Sequence, residues 1–171
     1  MSIKRNFSLG NYNSFGVKHK ANFFIEIKNK GQINDIINNK KYDKVRKLIL
    51  GGGSNILFTK DYNGIVFLNK IKGIRKISED DNNVLLRVGS GENWDDFVEY
   101  CVKKKYYGLE NLSLIPGSVG AAPIQNIGAY GVEVKNLIEN VEGIFLNNGI
   151  IKKFNNKSCE FQYRDSIFKG K

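Results

Sequence analysis

Three stretches of this sequence carry residue types that could do chemistry. The first is Leu50-Gly51-Gly52-Gly53-Ser54-Asn55, where backbone N–H groups could converge on a diphosphate without side-chain obstruction while Ser54 and Asn55 add polar donors. Taken alone it is matched equally well by a plain glycine-rich turn. It is not a dinucleotide fingerprint of the G-x-G-x-x-G kind, and no Gly-Lys-Ser or Gly-Lys-Thr closes it as a nucleotide-triphosphate loop would require. The second stretch, residues 115–133, reads I-P-G-S-V-G-A-A-P-I-Q-N-I-G-A-Y-G-V-E and holds both prolines of the chain, Pro116 and Pro123. Its small residues (Gly117, Gly120, Ala121, Ala122, Gly128, Ala129 and Gly131) suit a pocket wall against something flat or bulky, with Gln125, Asn126 and Tyr130 held among them. The third is Tyr163-Arg164-Asp165-Ser166.

Arginine is rare here: Arg5, Arg46, Arg75, Arg87 and Arg164 account for all of it, the rest of the 27 basic residues being lysine. A surface charge at position 164 could have been lysine, so a planar, permanently charged fork is a reason for Arg164 to differ. A surface pair with Asp165 or Glu160 accounts for it equally well on sequence alone. The two small-residue regions together point to a long, diphosphate-containing cofactor lying between two lobes.

The elements that must position these residues follow from the hydrophobic pattern. Residues 22–27 read as a strand, 32–39 as a short helix with Ile33, Ile36 and Ile37 on one side, 45–50 as a strand running into the triple glycine, and 64–69 as another strand. Residues before Asn13 are polar and read as loose. Residues 74–77 and 84–88 form a strand pair around the acidic turn 79–82. The clearest helix starts at Trp94, whose side chain joins Phe97, Val98, Cys101 and Val102 in one apolar stripe. Asn93 is its cap, with Asp95 and Asp96 in the first turn and Lys103, Lys104 and Lys105 at the end, as the helix dipole favours. Residues 137–146 and 150–154 read as a hairpin around Asn147-Asn148-Gly149.

A chain of 171 residues with a formal charge of +10 can bury a core. Its scattered lysines lack the clustered arginines of a nucleic-acid reader, so nucleic acid is not an expected partner, although the charge would draw in an anionic substrate. Cys101 and Cys159 are two and far apart, which supports neither a disulfide framework nor a metal site; Cys101 reads as a buried helix residue. No apolar run approaches the roughly eighteen residues of a membrane span, and no secretory signal is visible, so a cytoplasmic location is expected. His19 reads as a loop residue, Trp94 as core, and Glu92 and Glu110 as caps or solvated positions.

With Asn13-Ser14-Phe15-Gly16 near the start and Gly89-Ser90-Gly91-Glu92-Asn93-Trp94 in the middle, the three stretches in this order resemble the flavin-binding half of UDP-N-acetylenolpyruvoylglucosamine reductase, the MurB family of bacterial cell-wall synthesis. The resemblance covers nearly the whole chain. It implies an α+β, two-lobed FAD-binding domain of the PCMH/VAO type, with a small α+β lobe over residues 1–70 and a larger mixed-sheet lobe over 71–171; the family's C-terminal substrate domain is not matched. The cofactor would be FAD, with NADPH as reductant. On that reading Gly51, Gly52, Gly53, Ser54, Asn55, Pro116, Gly117 and Gly120 hold the pyrophosphate and its flanks. Ala121, Ala122, Ile127, Gly128, Ala129 and Tyr130 border the flavin, and Asn126 is a polar contact. Tyr163 and Arg164 match the motif that contributes the family's active-site arginine, which makes Arg164 the expected catalytic residue and the pair a substrate-binding element.

The reaction so implied is reduction of an enolpyruvyl ether on a UDP-sugar in peptidoglycan synthesis, a step tied to cell shape and division. The proton-donating serine and an assisting glutamate belong to the family's C-terminal domain, so Ser118 and Ser166 are not nominated for that role. The alternatives are an inactive FAD-binding remnant and a related flavin oxidoreductase with another substrate.

Overall fold

A computed structural model describes residues 2–169. The chain mixes strands with few helices and divides into two units. One runs to Ile71 and takes in Leu146–Gly149; the other holds Lys72–Phe145 and the residues from Ile150 on.

The first unit is built on a four-stranded sheet in the order β1-β2-β4-β3, from β1 (Lys4–Ser8), β2 (Lys20–Ile27), β3 (Lys47–Leu50) and β4 (Tyr62–Asn69). β2 and β3 both lie parallel to β4, with Phe24 opposite Val66 and Ile49 opposite Phe67, while β1 runs antiparallel to β2. The central strand β4 is buried without a break from Gly64 to Leu68, because a parallel strand covered on both faces has no solvent side for polar residues. The crossover from β2 to β3 carries α1 (Lys30–Ile37), which buries Ile33 and Ile36. Its start is set by Asn29, whose side chain accepts from the Gln32 N–H at 3.1 Å, while Gln32 Oε1 accepts from the Lys28 N–H at 2.7 Å.

β1 corrects the expectation of a loose N-terminus. Its residues are almost all exposed, so no apolar alternation betrays it; the strand is held by its ladder to β2 and by the Phe7 ring stacked on Phe24 at 4.1 Å. Residues 56–58, apolar in sequence, are not a strand. Phe58 is buried and Ile56 packs beside it, covering the core formed by Leu9, Phe24, Leu50, Val66 and Leu68.

The second unit contains the antiparallel pair β5 (Ile74–Glu79) and β6 (Val84–Val88), the helix α2 (Trp94–Lys103), the short hairpin β7 (Gly128–Ala129) with β8 (Val132–Glu133), and the hairpin β9 (Asn140–Ile144) with β10 (Ile151–Asn155). Asn93 caps α2 by accepting from the Asp96 N–H at 3.1 Å. Trp94, Phe97, Val98 and Cys101 are buried, and burial of a side chain such as Phe97 or Val98 stabilises by roughly 1.5–3 kcal/mol. Val102, the last member of the stripe, is 43% exposed at the helix rim. The Trp94 indole N–H is satisfied by the Leu112 carbonyl at 2.7 Å, so this core tolerates the ring's one polar atom. The residues between β9 and β10 belong to the first unit, and there Gly149 takes φ +74°; a β-carbon on it would lie 2.7 Å from Asn34 Oδ1 and 2.9 Å from Ile37 Cδ1.

Candidate functional site

In the first unit the triple glycine leaves the C-terminal end of parallel strand β3, the edge at which open α/β sheets bind their ligands. Gly52 and Asn55 are exposed there and Gly51 and Ser54 half-buried. Gly53 is buried at φ +71°, and a β-carbon on it would overlap the Tyr12 carbonyl, whose carbon lies 2.8 Å away. Its lack of a side chain is therefore required by the chain's own packing, and the approach of a guest is not needed to explain it. The Ser14 N–H donates to the Gly53 carbonyl at 3.0 Å. This contact fixes the Asn13-to-Gly16 bend under the glycine loop, and Asn13 stiffens the bend by donating to the Leu9 carbonyl at 2.7 Å and the Val17 carbonyl at 3.1 Å.

In the second unit the start of the small-residue stretch pairs with the Gly89-to-Trp94 loop. The Trp94 N–H donates to the Gly117 carbonyl at 3.1 Å, the Val119 N–H to Glu92 at 2.9 Å and the Gly120 N–H to Ser90 at 2.9 Å. Gly120 has no room for a side chain, since a β-carbon would sit 2.6 Å from Ser90 Cβ. Ser90 thus belongs with the candidate site, although in the sequence it stands out only as part of a motif. Glu92 is a tie: Oε2 accepts from Lys72 Nζ at 2.9 Å and Oε1 from the Gly73 N–H at 2.6 Å. Burial raises its pKa, but the Gly73 and Lys72 contacts outweigh burial and hold the carboxyl below its usual value. It does not act as the cap or solvated charge expected from sequence.

The stretch then folds back as the β7–β8 hairpin, with Gly128 opposite Glu133 and Ala129 opposite Val132. Tyr130 and Gly131 form its loop at φ +50° and +77°, the geometry that two-residue hairpins require at both positions. A tyrosine held there is strained, and the residue is 88% exposed. Gly128 is short of space for the same kind of reason as Gly53: a β-carbon would lie 2.8 Å from the Val132 carbonyl oxygen.

Arg164 is brought to this hairpin. Gln162 and Asp165 close a tight turn through two main-chain hydrogen bonds of 3.0 and 3.2 Å. Within the turn Arg164 takes φ +54°, a conformation that favours glycine and costs an arginine about 1–3 kcal/mol. From it the guanidinium Nη2 donates to the Gly128 carbonyl at 2.8 Å. The alternative of a pair with Asp165 or Glu160 is not what forms among the described residues; Asp165 Oδ1 instead accepts from the Ser166 N–H at 2.9 Å. Tyr163 stands beside it, 83% exposed, with its ring centroid 5.9 Å from the Arg164 guanidinium carbon.

Three of the expected border residues are buried within the chain. Asn126 is fully buried, with both amide hydrogens donated, to Glu133 Oε1 at 3.0 Å and the Gln162 carbonyl at 2.9 Å, and its oxygen accepting from the Lys135 N–H at 3.1 Å. Its side chain is a clamp within the chain. Ala122 and Ile127 are in the core around α2, so their small or apolar character serves packing. Pro116, Gly117, Ala121, Gly128, Ala129 and Tyr130 do reach the surface. His19 lies in a loop beside Asp61, its Nδ1 3.2 Å from Oδ1.

A family model described as FAD binding domain matches residues 21–155. Among curated relatives, UDP-N-acetylenolpyruvoylglucosamine reductase of Amoebophilus asiaticus is 50% identical over 170 residues, covering 99% of this chain and 50% of that protein. The reductase of the same name from Porphyromonas gingivalis is 43% identical over 169 residues, with 99% and 50% covered. The chain thus spans about half the length of the curated relatives it matches. Among solved structures, UDP-N-acetylenolpyruvylglucosamine reductase (MurB) from Thermus caldophilus shares the fold at a TM-score of 0.75 and 24% identity, over 97% of this chain and 57% of that one.

Each unit by itself offers features that suit part of a flavin dinucleotide. A side-chain-poor loop at the end of a parallel strand, with Gly52 and Asn55 at the surface, offers main-chain and amide donors suited to a diphosphate. The partly exposed Gly128-to-Tyr130 rim beside Arg164 offers a flat, side-chain-poor border. By its family model, which matches most of its length, the chain belongs to the FAD binding domain family.

Proposed function

We propose that this chain carries the flavin-binding portion of a reductase that converts the enolpyruvyl ether of UDP-N-acetylglucosamine to UDP-N-acetylmuramate in cytoplasmic peptidoglycan synthesis, a step on which cell shape and division depend. The observation that carries the reading is the 2.8 Å hydrogen bond from Arg164 to the Gly128 carbonyl, which sets a permanent cation beside the small-residue rim. The domain is of the two-lobed PCMH/VAO type, the smaller lobe corresponding to the unit that runs to Ile71 and the larger to the other.

Bound FAD, recharged by NADPH, supplies the hydride. The residues named here bind and orient. Gly51, Gly52, Gly53, Ser54 and Asn55, with Pro116, Gly117 and Gly120, hold the pyrophosphate and its flanks, while Ala121, Gly128, Ala129 and Tyr130 border the ring. Hydride addition to the enolpyruvyl carbon remote from the carboxylate drives negative charge onto the carboxylate side. A cation fixed there gains more in the transition state than in the ground state, so Arg164 lowers the barrier and does more than bind. Only part of its five-donor fork is spent on Gly128, which leaves N–H groups for a carboxylate. Tyr163 lies against the same guanidinium as a substrate-binding side chain.

The test is direct. Titration of the full chain into FAD should quench flavin fluorescence, NADPH should bleach the complex without oxygen, and the enolpyruvyl UDP-sugar should restore the colour when the rest of the reductase is supplied. Absence of FAD binding overturns the reading. Bleaching without recovery leaves a flavin-binding module without reductase activity.

A further inference from the structure

The turn that carries Arg164 is fastened to residues 124–128 at three rungs. The Asn126 amide donates to the Gln162 carbonyl at 2.9 Å, Arg164 Nη2 to the Gly128 carbonyl at 2.8 Å, and Ser166 Oγ to the Ile124 carbonyl at 2.7 Å. Arg164 is itself one of these rungs, so the other two must fix where it lies. Asn126 differs from Ser166 in that it also reaches across the β7–β8 hairpin, to Glu133 Oε1 and the Lys135 N–H. One fully buried amide therefore touches the Arg164 turn and the far strand of the hairpin that Arg164 contacts. Its backbone is left-handed at φ +44°, a conformation that asparagine tolerates better than most side chains.

We propose that Asn126 is a positioning residue for Arg164: its amide sets the register of the Gln162-to-Asp165 turn on the β7–β8 hairpin and so aims the guanidinium. The proposal rests on the role given to Arg164 above. The chemistry selects an amide, because two donors must meet a carboxylate and a carbonyl while one acceptor meets an N–H. Aspartate at this position keeps the acceptor and the shape, but sets a carboxylate against Glu133 and the Gln162 carbonyl. A displacement of the guanidinium by about 1 Å is enough to cost on the order of 10²-fold in a reaction that depends on it.

The scarcity of arginine supplies the test. In the full chain made with 15N-labelled arginine, only Arg5, Arg46, Arg75, Arg87 and Arg164 give side-chain signals, and Arg164→Lys identifies the one of interest. A persistent hydrogen bond to Gly128 should keep the Arg164 Hη resonances slow to exchange. Asn126→Asp should abolish that protection and leave the other four arginines unchanged. Cys101→Ala, which loosens the same unit's core without touching these rungs, should lower the melting temperature and leave Arg164 protected. If Asn126→Asp does not fold, Asn126→Gly, which accepts the left-handed backbone, carries the same readout. Protection of Arg164 that survives either substitution at Asn126, or that is lost equally in Cys101→Ala, overturns the proposal. Flavin fluorescence is measured separately: a parent chain that fails to quench FAD counts against the functional reading, while the arginine spectra still decide the role of Asn126.

Discussion

The carbonyl of Tyr12 occupies the space in which residue 53 would carry a β-carbon, so the third glycine of the Gly51-Gly52-Gly53 run is fixed by a bend forty residues earlier in the chain. Gly53 is also at φ +71°, which adds backbone strain for any other residue. Gly53→Ala should therefore lower stability by about 2–4 kcal/mol, combining the left-handed penalty with displacement of the Tyr12 main chain. Urea unfolding of the two proteins checks this. A midpoint unchanged from the parent would show that the bend can move aside.

Arg164 holds a conformation that glycine would adopt without strain. Arg164→Gly should remain within about 1 kcal/mol of the parent in urea, because relief of strain offsets the lost hydrogen bond to Gly128. In the enolpyruvyl reduction assay the same change, and Arg164→Lys as well, should cost about 10²–10³-fold in turnover, the usual loss when a single group opposing developing negative charge is removed. Retained turnover in Arg164→Lys would mean that any cation suffices and that the fork is not required.

Glu92 gives the fold a dependence on acid. Its folded-state pKa lies below its ordinary value, so its stabilising contribution is fully present above the unfolded pKa and is lost as the pH falls through the folded one. Glu92→Gln should lower the melting temperature at neutral pH and make the fall on the acid side shallower. Parallel melting curves for parent and variant from neutral to acid pH would contradict this.

Both cysteines are buried. Burial, with a smaller contribution from the Glu110 charge, pushes the Cys101 thiol up to about 11, and burial also raises Cys159. Thiolate is the reactive form, so the native chain should resist a disulfide reagent at neutral pH and both thiols should react once urea unfolds it. Rapid labelling of the native chain would show that the second unit opens readily.

The sequence exposes those elements whose side chains report their own burial. The apolar stripe of α2 and its Asn93 cap are readable because local spacing alone decides them, whereas the pair β5–β6, whose first strand is almost all exposed, is marked by the acidic turn between its two runs. β1 is not, since a mostly exposed edge strand is defined by its partner β2 and not by its own residues. At the candidate site, the rarity of arginine singles out Arg164, and the run of small residues marks the β7–β8 hairpin. The reason for the smallness is a different matter: Gly53, Gly120 and Gly128 make room for Tyr12, Ser90 and Val132 of the same chain. The direction of an amide is equally hidden. Asn126 meets the Gln162 carbonyl 36 residues further on, and no local pattern distinguishes that partner from a ligand.

The first unit is discontinuous, since it takes in Leu146–Gly149. A ribosome delivers β1 to β4 first, yet the residues that lie against Asn34 and Ile37 are made some eighty residues later. During synthesis the outer side of α1 waits uncovered until Gly149 emerges. A gene fragment cut after Ile71 would thus yield a sheet that is complete in its strands and unfinished on one flank.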